Sequence, residues 1–192
     1  MPTQPKKHGP WTITASRRKY RSDELEVRED EAVGPGGQRK TWAVVKIKPG
    51  VTILPVDDDR MVYLTREFRY AAGRECLEAV SGVIEEGETP VEAARRELRE
   101  KLNLEAGRWI DLGRVDPMTS QIDSSTTLFL ASGLSFVKKK DGVRASAVRM
   151  PLNEAVGRAL GGEITHGASC VLLFRAYYRL MKRKQNDQRI ED

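Results

Sequence analysis

Hydrophobic and polar residues alternate along much of the first half of the chain, and this two-residue period is typical of half-buried β-strands. Turn-forming residues separate the alternating runs, first at Gly34-Pro35-Gly36-Gly37 and then at Asp57-Asp58-Asp59-Arg60. We expect the three aspartates to form the turn of a hairpin rather than to bind a metal ion. The pattern predicts strands around 25–27 and at 41–48, 51–56, 61–66 and 75–80.

The period changes to that of an amphipathic helix after residue 89. Thr89 is a suitable N-cap, Pro90 occupies the first helical position, and Glu92 completes a Thr-x-x-Glu capping box. Apolar residues then recur at helical spacing to about Leu102, which predicts one buried stripe. The stripe consists of Val91, Ala94, Leu98 and Leu102.

The rest of the chain alternates between strand-like and helix-like segments. Strands are expected at 109–116, 126–131 and 144–151. A short helix over 152–160 should stop at Gly161-Gly162, and a longer amphipathic helix follows at 168–184. Many strands with a few segregated helices predict an α+β fold, with a mixed sheet and helices on its faces.

Composition and charge narrow the class of protein without identifying it. The 192 residues, 39% of them hydrophobic, suffice for one ordinary domain with an added arm. No apolar run approaches the roughly 20 residues that span a bilayer, so no membrane association is expected. Two distant cysteines fit a reducing cytoplasm better than a disulfide framework or a zinc site. The net charge is +5, and the basic residues lie in short separate runs, so no nucleic-acid partner is expected.

Glu97 and Glu100 lie on the side of the predicted helix away from the apolar stripe, about one turn apart, with Arg96 beside them. Two carboxylates on such an exposed face can hold a hard cation such as Mg²⁺, which prefers oxygen ligands and keeps several waters. The glycine-containing loop before the helix would let backbone carbonyls approach the same ion. On helix geometry alone, however, ordinary surface salt bridges are the more common explanation of these residues.

A longer set of residues has the spacing of a known signature. Gly82 is followed after five residues by Glu88, and after seven more by Arg96-Glu97-Leu98-x-Glu100. This pattern resembles the Nudix box, the signature of hydrolases of nucleoside diphosphates linked to another moiety. The resemblance extends over roughly 11–182 and points to the branch that hydrolyses ADP-ribose and nucleoside diphosphate sugars. Two further segments that are similar to this branch are 66–70 (REFRY) and 76–82 (CLEAVSG).

The resemblance implies a fold, a reaction and a role for each matching residue. The fold is an αβα sandwich around a mixed sheet, and the reaction is attack of water on one phosphorus of a diphosphate, assisted by Mg²⁺ or Mn²⁺. The implied catalytic group is Glu97, Glu100 and Arg96. Glu97, Glu100 and the backbone carbonyl of Ser81 would bind the metal, while Arg96 would orient a carboxylate. The other implied roles are contact with the diphosphate for Arg69, stacking on the base for Trp42, and support of the box for Gly82 and Glu88.

Domain boundaries follow from composition and from the same resemblance. Residues 1–10, rich in proline and lysine, are expected to be a disordered tail. Residues 11–48 would form an N-terminal β-strand arm, which in this branch commonly exchanges between the subunits of a homodimer. The Nudix domain would occupy 49–185, and 186–192 would be a second tail.

The chain departs from the family pattern inside the box. Where the pattern continues Glu-Glu-x-Gly, this chain has Glu100-Lys101-Leu102-Asn103, so Lys101 replaces a residue that is usually a principal metal ligand. Lys101 lies one helical turn after Glu97, and we expect its ammonium to reach that carboxylate and to compete with Mg²⁺. Asn103 is a smaller change because asparagine tolerates the left-handed conformation that glycine supplies at a helix end.

A second departure concerns the loop that in this branch carries a catalytic acid. The loop reads Lys138-Lys139-Lys140-Asp141-Gly142, so Asp141 is the one carboxylate left there to act at the substrate. Elsewhere, His166 has no partner at ligand spacing and is expected at the surface or in a helix cap. Cys76 and Cys170 are expected to be small core residues.

Three functions are compatible with these residues. The leading prediction is a metal-dependent pyrophosphohydrolase of ADP-ribose or a related nucleoside diphosphate sugar. The alternative is a catalytically silent Nudix-fold module that binds a nucleotide or a protein partner, with Lys101 and the lysine loop gripping phosphates without a metal. An enzyme of capped or triphosphorylated RNA is a third possibility, prompted by the basic runs, but no aromatic-rich platform for single strands supports it.

Overall fold

The computed structural model describes residues 5–137 and 146–188, with side chains described as far as residue 181. Within these residues lie twelve strands, one short 3-10 helix and three α-helices. They form two compact units. The first comprises the chain up to Pro49 together with Asp116–Ser125, and the second comprises Gly50–Val115 and the chain from Thr126 onward.

The first unit is a five-stranded sheet. Its strands are β1 (Lys6–His8), β2 (Trp11–Arg21), β3 (Leu25–Val33), β4 (Arg39–Ile47) and β10 (Ile122–Asp123). The first four are antiparallel neighbours in chain order, and β10 pairs in parallel with β4. The predicted turn before β4 is confirmed: the Gly34 amide donates to the Gln38 carbonyl at 2.9 Å, and Gly37 adopts φ +81°.

The N-terminal segment differs from the expectation drawn from its composition. Residues 1–10 are expected to be a disordered tail, whereas the structure places Lys6–His8 in an edge strand paired with Trp11–Ile13. Gly9, at φ +56°, turns the chain between the two strands. Composition does not reveal this pairing because the neighbouring strand supplies the backbone hydrogen bonds.

The second unit contains two sheets and three helices. Its strands are β5 (Gly50–Pro55), β6 (Met61–Arg69), β7 (Arg74–Glu78), β8 (Val80–Val83), β9 (Leu104–Val115), β11 (Thr126–Phe136) and β12 (Ser146–Pro151), and its helices are α1 (Pro90–Leu102), α2 (Leu152–Leu160) and α3 (Gly167–Gln188). One sheet has the order β8-β5-β11-β9 and the other the order β12-β6-β7. The β5–β11 pair is parallel and the other pairs are antiparallel, so the first sheet is mixed.

The central strands of the mixed sheet are apolar on both faces, as expected for strands that are covered on each side. Val51 and Ile53 of β5 belong to a core cluster that includes the buried side of α1. Leu54, Leu128 and Leu130 point the other way, into a second cluster with α2 and α3. Helices therefore cover both faces of this sheet, and the predicted α+β class with its αβα layers is confirmed.

The boundaries of most predicted strands and helices lie within a few residues of the observed boundaries. The segment expected as one strand at 75–80 is divided at Ala79 into β7 and β8, and β9 starts at Leu104, directly after α1, rather than at 109. The last predicted strand begins at Ser146, and residues 144 and 145 lie outside the described residues. In the described part of the chain, no helix has both the length and the apolar character that crossing a membrane requires.

Candidate active site

Helix α1 is fixed at both ends by its own sequence. The Glu92 amide donates to Thr89 Oγ1 at 3.4 Å and the Thr89 amide donates to Glu92 Oε2 at 2.8 Å, which confirms the predicted capping box. At the other end Asn103 adopts φ +51° and its amide donates to the Arg99 carbonyl at 3.0 Å. Of the predicted stripe, Val91 is only half-buried. The buried residues of α1 are Ala93, Ala94, Glu97, Leu98 and Leu102.

Glu97 is buried, although the sequence places it on an exposed face. Its side chain is only 11% exposed because it packs directly on the backbone of Gly82 in β8. A Cβ atom at position 82 would lie 1.9 Å from Glu97 Cδ and 2.0 Å from Oε1. The box therefore needs glycine at this position to leave a cradle for the carboxylate.

Arg96 joins the loop to the helix through four oxygen atoms. Its Nη1 donates to Glu97 Oε1 at 2.7 Å, and its Nε and Nη2 donate to the two carboxylate oxygens of Glu88 at 2.8 and 2.9 Å. Nη2 also donates to the Val83 carbonyl at 2.8 Å. We call Glu88, Arg96, Glu97 and Glu100 the box cluster. Its contacts explain the spacing of the motif, because one guanidinium holds both the loop carboxylate and the helix carboxylate.

The ion pair with Arg96 sets the protonation state of the loop carboxylate. Hydrogen bonds from Arg96, followed by one from the Glu85 amide, lower the pKa of Glu88 to about 2. Hydrogen bonds to Glu88 and Glu97 in turn raise the pKa of Arg96, against the effect of its partial burial. Glu88 and Arg96 are therefore both ionised at neutral pH.

Glu100 and Ser81 border the buried carboxylate. Glu100 is 55% exposed, and its Oε2 lies 3.8 Å from Arg96 Nη1, the nitrogen that also contacts Glu97. Both glutamates therefore face the same guanidinium nitrogen of Arg96. The Ser81 hydroxyl lies 3.1 Å from both Thr52 Oγ1 and the Ala79 carbonyl. The hydroxyl is thus engaged within the sheet, so a metal contact from Ser81 would use its backbone carbonyl.

Lys101 does not pair with Glu97, and the expectation that it does is wrong. Its Nζ lies 3.0 and 3.3 Å from the two carboxylate oxygens of Glu67 on β6. Glu67 Oε2 also accepts from Arg69 Nη1 at 3.1 Å, and Arg69 donates to Glu78 Oε2 through Nε at 3.0 Å and Nη2 at 2.5 Å. We call Glu67, Arg69, Glu78 and Lys101 the strand cluster. Glu97 is already held by Arg96, and Lys101 instead binds the Glu67 carboxylate on the neighbouring strand β6.

The strand cluster continues to His166, for which the sequence suggested no partner. His166 Nδ1 lies 2.8 Å from Ser169 Oγ and 3.9 Å from Glu78 Oε2. Ser169 Oγ accepts from the Ala79 amide at 2.9 Å, so its proton is available for His166 Nδ1. Burial lowers the pKa of His166, and the Arg69 charge acts in the same direction, against the effect of Glu78.

Sequence reasoning missed Glu67, Glu78 and His166 as parts of this network. The sequence does contain a signal for Glu67, because Glu67 and Arg69 are two residues apart on one strand and therefore share a face. Glu78 and His166 come from separate elements, and no local spacing links them. Cys76 is buried in β7 and Cys170 is partly buried in α3, as expected for small core residues.

Trp42 belongs to the first unit and lies half-buried on β4. The Trp11 ring meets it edge-on with ring centroids 5.4 Å apart, and Lys40 Nζ lies 3.7 Å from its ring centroid. Both tryptophans line a pocket of about 840 Å³ on this sheet, together with Arg28 and the buried Asp30. Asp141 and the lysines at 138–140 lie outside the described residues.

The donor set fits a divalent ion that keeps most of its water ligands. Among the described residues there is no group of three or more His, Cys, Asp or Glu side chains arranged to hold a metal. Glu97 and Glu100 offer two carboxylates beside the Gly82 cradle, and Mg²⁺ is commonly bound through one or two carboxylates, waters and substrate phosphates. The residues present therefore suit Mg²⁺ or Mn²⁺ better than zinc, which prefers nitrogen and sulfur ligands.

Comparison with known proteins assigns this arrangement to a family. The sequence model of the NUDIX domain matches residues 46–163. An ADP-ribose pyrophosphatase of Mycobacterium tuberculosis is 32% identical over 145 residues, which cover 73% of this chain and 70% of that protein. An ADP-sugar pyrophosphatase of Mus musculus is 30% identical over 150 residues, which cover 67% of this chain and 69% of that protein.

The fold also has a counterpart among solved structures. A crystal structure of an ADP compounds hydrolase superimposes with a TM-score of 0.79, covering 93% of this chain and 98% of that one, at 23% sequence identity. At this level of identity the similarity concerns the fold alone. It agrees with the mixed sheet and the helix layers described above.

Proposed function

The chain belongs to the Nudix family, and we propose that it is a metal-dependent pyrophosphohydrolase of ADP-ribose or a related nucleoside diphosphate sugar. One observation carries the proposal: Gly82, Glu88, Arg96 and Glu97 meet in one loop–helix unit, in which the buried Glu97 carboxylate lies in the glycine cradle. Burying a carboxylate in this way costs free energy, so the arrangement suits a binding site better than a surface salt bridge.

The substrate class rests on the relatives and on the charges of the second unit. The two relatives are named for hydrolysis of ADP-ribose and of ADP-sugars. Arg69 is about one third exposed and is held by Glu67 and Glu78. A guanidinium fixed in this way can donate hydrogen bonds to the oxygens of a diphosphate. Trp42 is the proposed stacking residue for the base, as one of two tryptophans beside the pocket of the first unit.

Each residue of the proposed site would have a distinct role. A divalent ion, when bound by Glu97, Glu100 and the Ser81 carbonyl, would supply positive charge at the phosphate oxygens and acidify water. Arg96 orients the Glu97 carboxylate, and Glu88 keeps Arg96 in place. Gly82 lets the backbone approach the carboxylate closely, while Arg69 would orient the diphosphate. Asp141 remains a proposed substrate-binding residue.

The metal, the assembly and the location belong to the same proposal. Mg²⁺ or Mn²⁺ is the proposed ion because the donors are oxygen atoms. The proposed assembly is a homodimer joined through the β-strand arm at 11–48, which light scattering on the purified protein would test. The cytoplasm is the proposed location, on the basis of the cysteine content.

A hydrolysis assay tests the proposed function. The purified protein would be incubated with ADP-ribose and a panel of nucleoside diphosphate sugars at millimolar Mg²⁺ or Mn²⁺, with nucleoside monophosphate release as the readout. We expect hydrolysis by the wild-type chain and a loss of at least a hundredfold for Glu97→Gln, which keeps the shape but removes the charge. Glu105→Gln, at an exposed glutamate beyond the end of α1, is the matched control. Wild-type rates no higher than those of Glu97→Gln for every substrate would favour a silent binding module.

A further inference from the structure

Lys101 occupies a position where a positive charge has direct consequences for the site. It lies four residues after Glu97 on α1, so the two side chains leave neighbouring turns of the same helix face. Its side chain is 13% exposed, and the Glu67 side chain that holds it is 15% exposed. An ion pair this well covered is more strongly oriented than one on an open surface, where such pairs contribute little. Lys101 is therefore held firmly in place by Glu67.

Glu67 holds two cations side by side. One carboxylate oxygen lies 3.0 Å from Lys101 Nζ, and the other lies 3.1 Å from Arg69 Nη1. An ammonium group has three donors, and the two contacts with Glu67 use at most two of them. Among the described residues, Glu67 is the ion-pair partner found for Lys101. At least one N–H of Lys101 is thus left for a further acceptor, and Lys101 shares the Glu67 carboxylate with Arg69, the residue proposed to contact the diphosphate.

The charges of the two clusters show what the lysine changes. Together the box cluster and the strand cluster contain five carboxylates and three cations, so their formal charge is −2. One divalent ion would balance this charge. A glutamate at position 101 would make the sum −4, which two divalent ions would balance. The substitution of lysine for glutamate is therefore equivalent in charge to one Mg²⁺.

We propose that Lys101 is a substrate-contacting residue, whose ammonium, held by Glu67 beside Arg69, binds the diphosphate and takes the place of a second divalent ion. This inference rests on the proposed function for the identity of the ligand class, a nucleoside diphosphate. It predicts that the chain binds one divalent ion and retains affinity for a diphosphate when no metal is present.

Two binding measurements test the proposal without catalysis. In the first, Mn²⁺ is titrated into the full chain and followed by electron paramagnetic resonance. We expect one ion per wild-type chain and two per Lys101→Glu chain. In the second, adenosine 5′-(α,β-methylene)diphosphate, which cannot be hydrolysed between its phosphates, is titrated in excess EDTA. We expect Lys101→Met to weaken binding roughly ten- to a hundredfold, the usual effect of losing a charge-assisted hydrogen bond, and Lys101→Arg to retain most of it.

Controls separate a contact from a structural effect. Arg99→Met removes the same unit charge from an exposed position of α1 and should leave metal-free binding within about twofold of wild type. Lys101→Gln, which can still hydrogen-bond to Glu67, provides a second neutral variant if Lys101→Met does not fold. Circular dichroism would establish that each titrated variant is folded.

Specific outcomes would overturn the inference. Two ions on the wild-type chain, a single ion on a folded Lys101→Glu chain, or unchanged diphosphate binding by folded Lys101→Met and Lys101→Gln would each do so. Failure of the proposed function is distinguishable. If no substrate is hydrolysed but metal-free binding depends on Lys101, the inference stands and the pyrophosphohydrolase does not. If ADP-ribose is hydrolysed but metal-free binding does not depend on Lys101, the proposed function stands and the inference about Lys101 fails.

Discussion

Replacing Gly82 by alanine tests whether the glycine cradle positions the Glu97 carboxylate. The three atoms nearest to the added Cβ would all belong to Glu97, with Cδ at 1.9 Å. Ordinary van der Waals contact begins at 3.4 Å, so the carboxyl carbon has to retreat by at least 1.5 Å. A shift of that size breaks the 2.7 Å bond from Arg96 Nη1 to Glu97 Oε1.

Two effects of known size are expected from this displacement. Forcing an extra methyl group into a packed site costs about 1–3 kcal/mol in the free energy of unfolding. A displacement of catalytic groups by about 1 Å can reduce the rate about a hundredfold. We therefore expect Gly82→Ala to lower the urea midpoint and to reduce kcat/KM for ADP-ribose by about a hundredfold or more. Gly157→Ala is the matched control, because it lies in α2 with open space around the added carbon and should stabilise by about 0.5–1 kcal/mol.

A double-mutant cycle identifies the cause. Glu97→Ala removes every atom that the new methyl group would meet at closest range, so Gly82→Ala should cost little extra stability in that background. Urea unfolding of the four proteins gives the coupling energy, for which we expect about 1–3 kcal/mol. If Gly82→Ala costs the same in both backgrounds, the cradle does not act through Glu97 and the reasoning fails.

Two further predictions concern pH. The pKa of Glu88 is lowered to about 2 from 4.5, so its contribution to stability is complete above about pH 4.5 and is lost as the pH falls towards 2. Urea unfolding should therefore show Glu88→Gln to be less stable than wild type at pH 7 and nearly equal to it near pH 2, whereas a constant difference would contradict the ion pair with Arg96. Burial lowers the pKa of His166 below 6.5, so stability should fall as the pH drops below 6.5. His166→Asn should reduce that fall and His8→Asn, on the exposed strand β1, should not; equal effects would contradict the effect of the partial burial of His166.

Local signals in the sequence were sufficient for the loop–helix unit. The capping box of Thr89 and Glu92 depends on residues three apart, and the glycine-to-arginine spacing of the box is a property of one continuous segment. The amphipathic periods likewise gave the α+β class, because each element shows its own buried face. These features are readable because the interacting residues are close in sequence.

The sequence was not sufficient where residues distant in the chain meet. Glu97 lies on the polar side of the helical pattern, yet it is buried against Gly82 of β8. Lys101 meets Glu67, which is 34 residues earlier, and His166, just before α3, lies 3.9 Å from Glu78 on β7. A helical wheel describes which side chains of one helix can touch, but it contains no information about the strand packed beside that helix. The error over Lys101 arose in this way.

The position of Lys101 changes how its replacement of a metal-ligand glutamate should be judged. Considered within the box alone, a lysine beside Glu97 predicts a blocked metal site, because an ammonium and a divalent ion repel each other strongly at short range. In the structure Lys101 and Glu97 have different partners. Glu67 binds the Lys101 ammonium, and Arg96 binds the Glu97 carboxylate. The strand cluster, with two carboxylates and two cations, is neutral, so the net negative charge remains on the box cluster, which contains Glu97 and Glu100. Loss of one ligand is thus compatible with retention of a metal site, provided that Glu67 stays paired with Lys101.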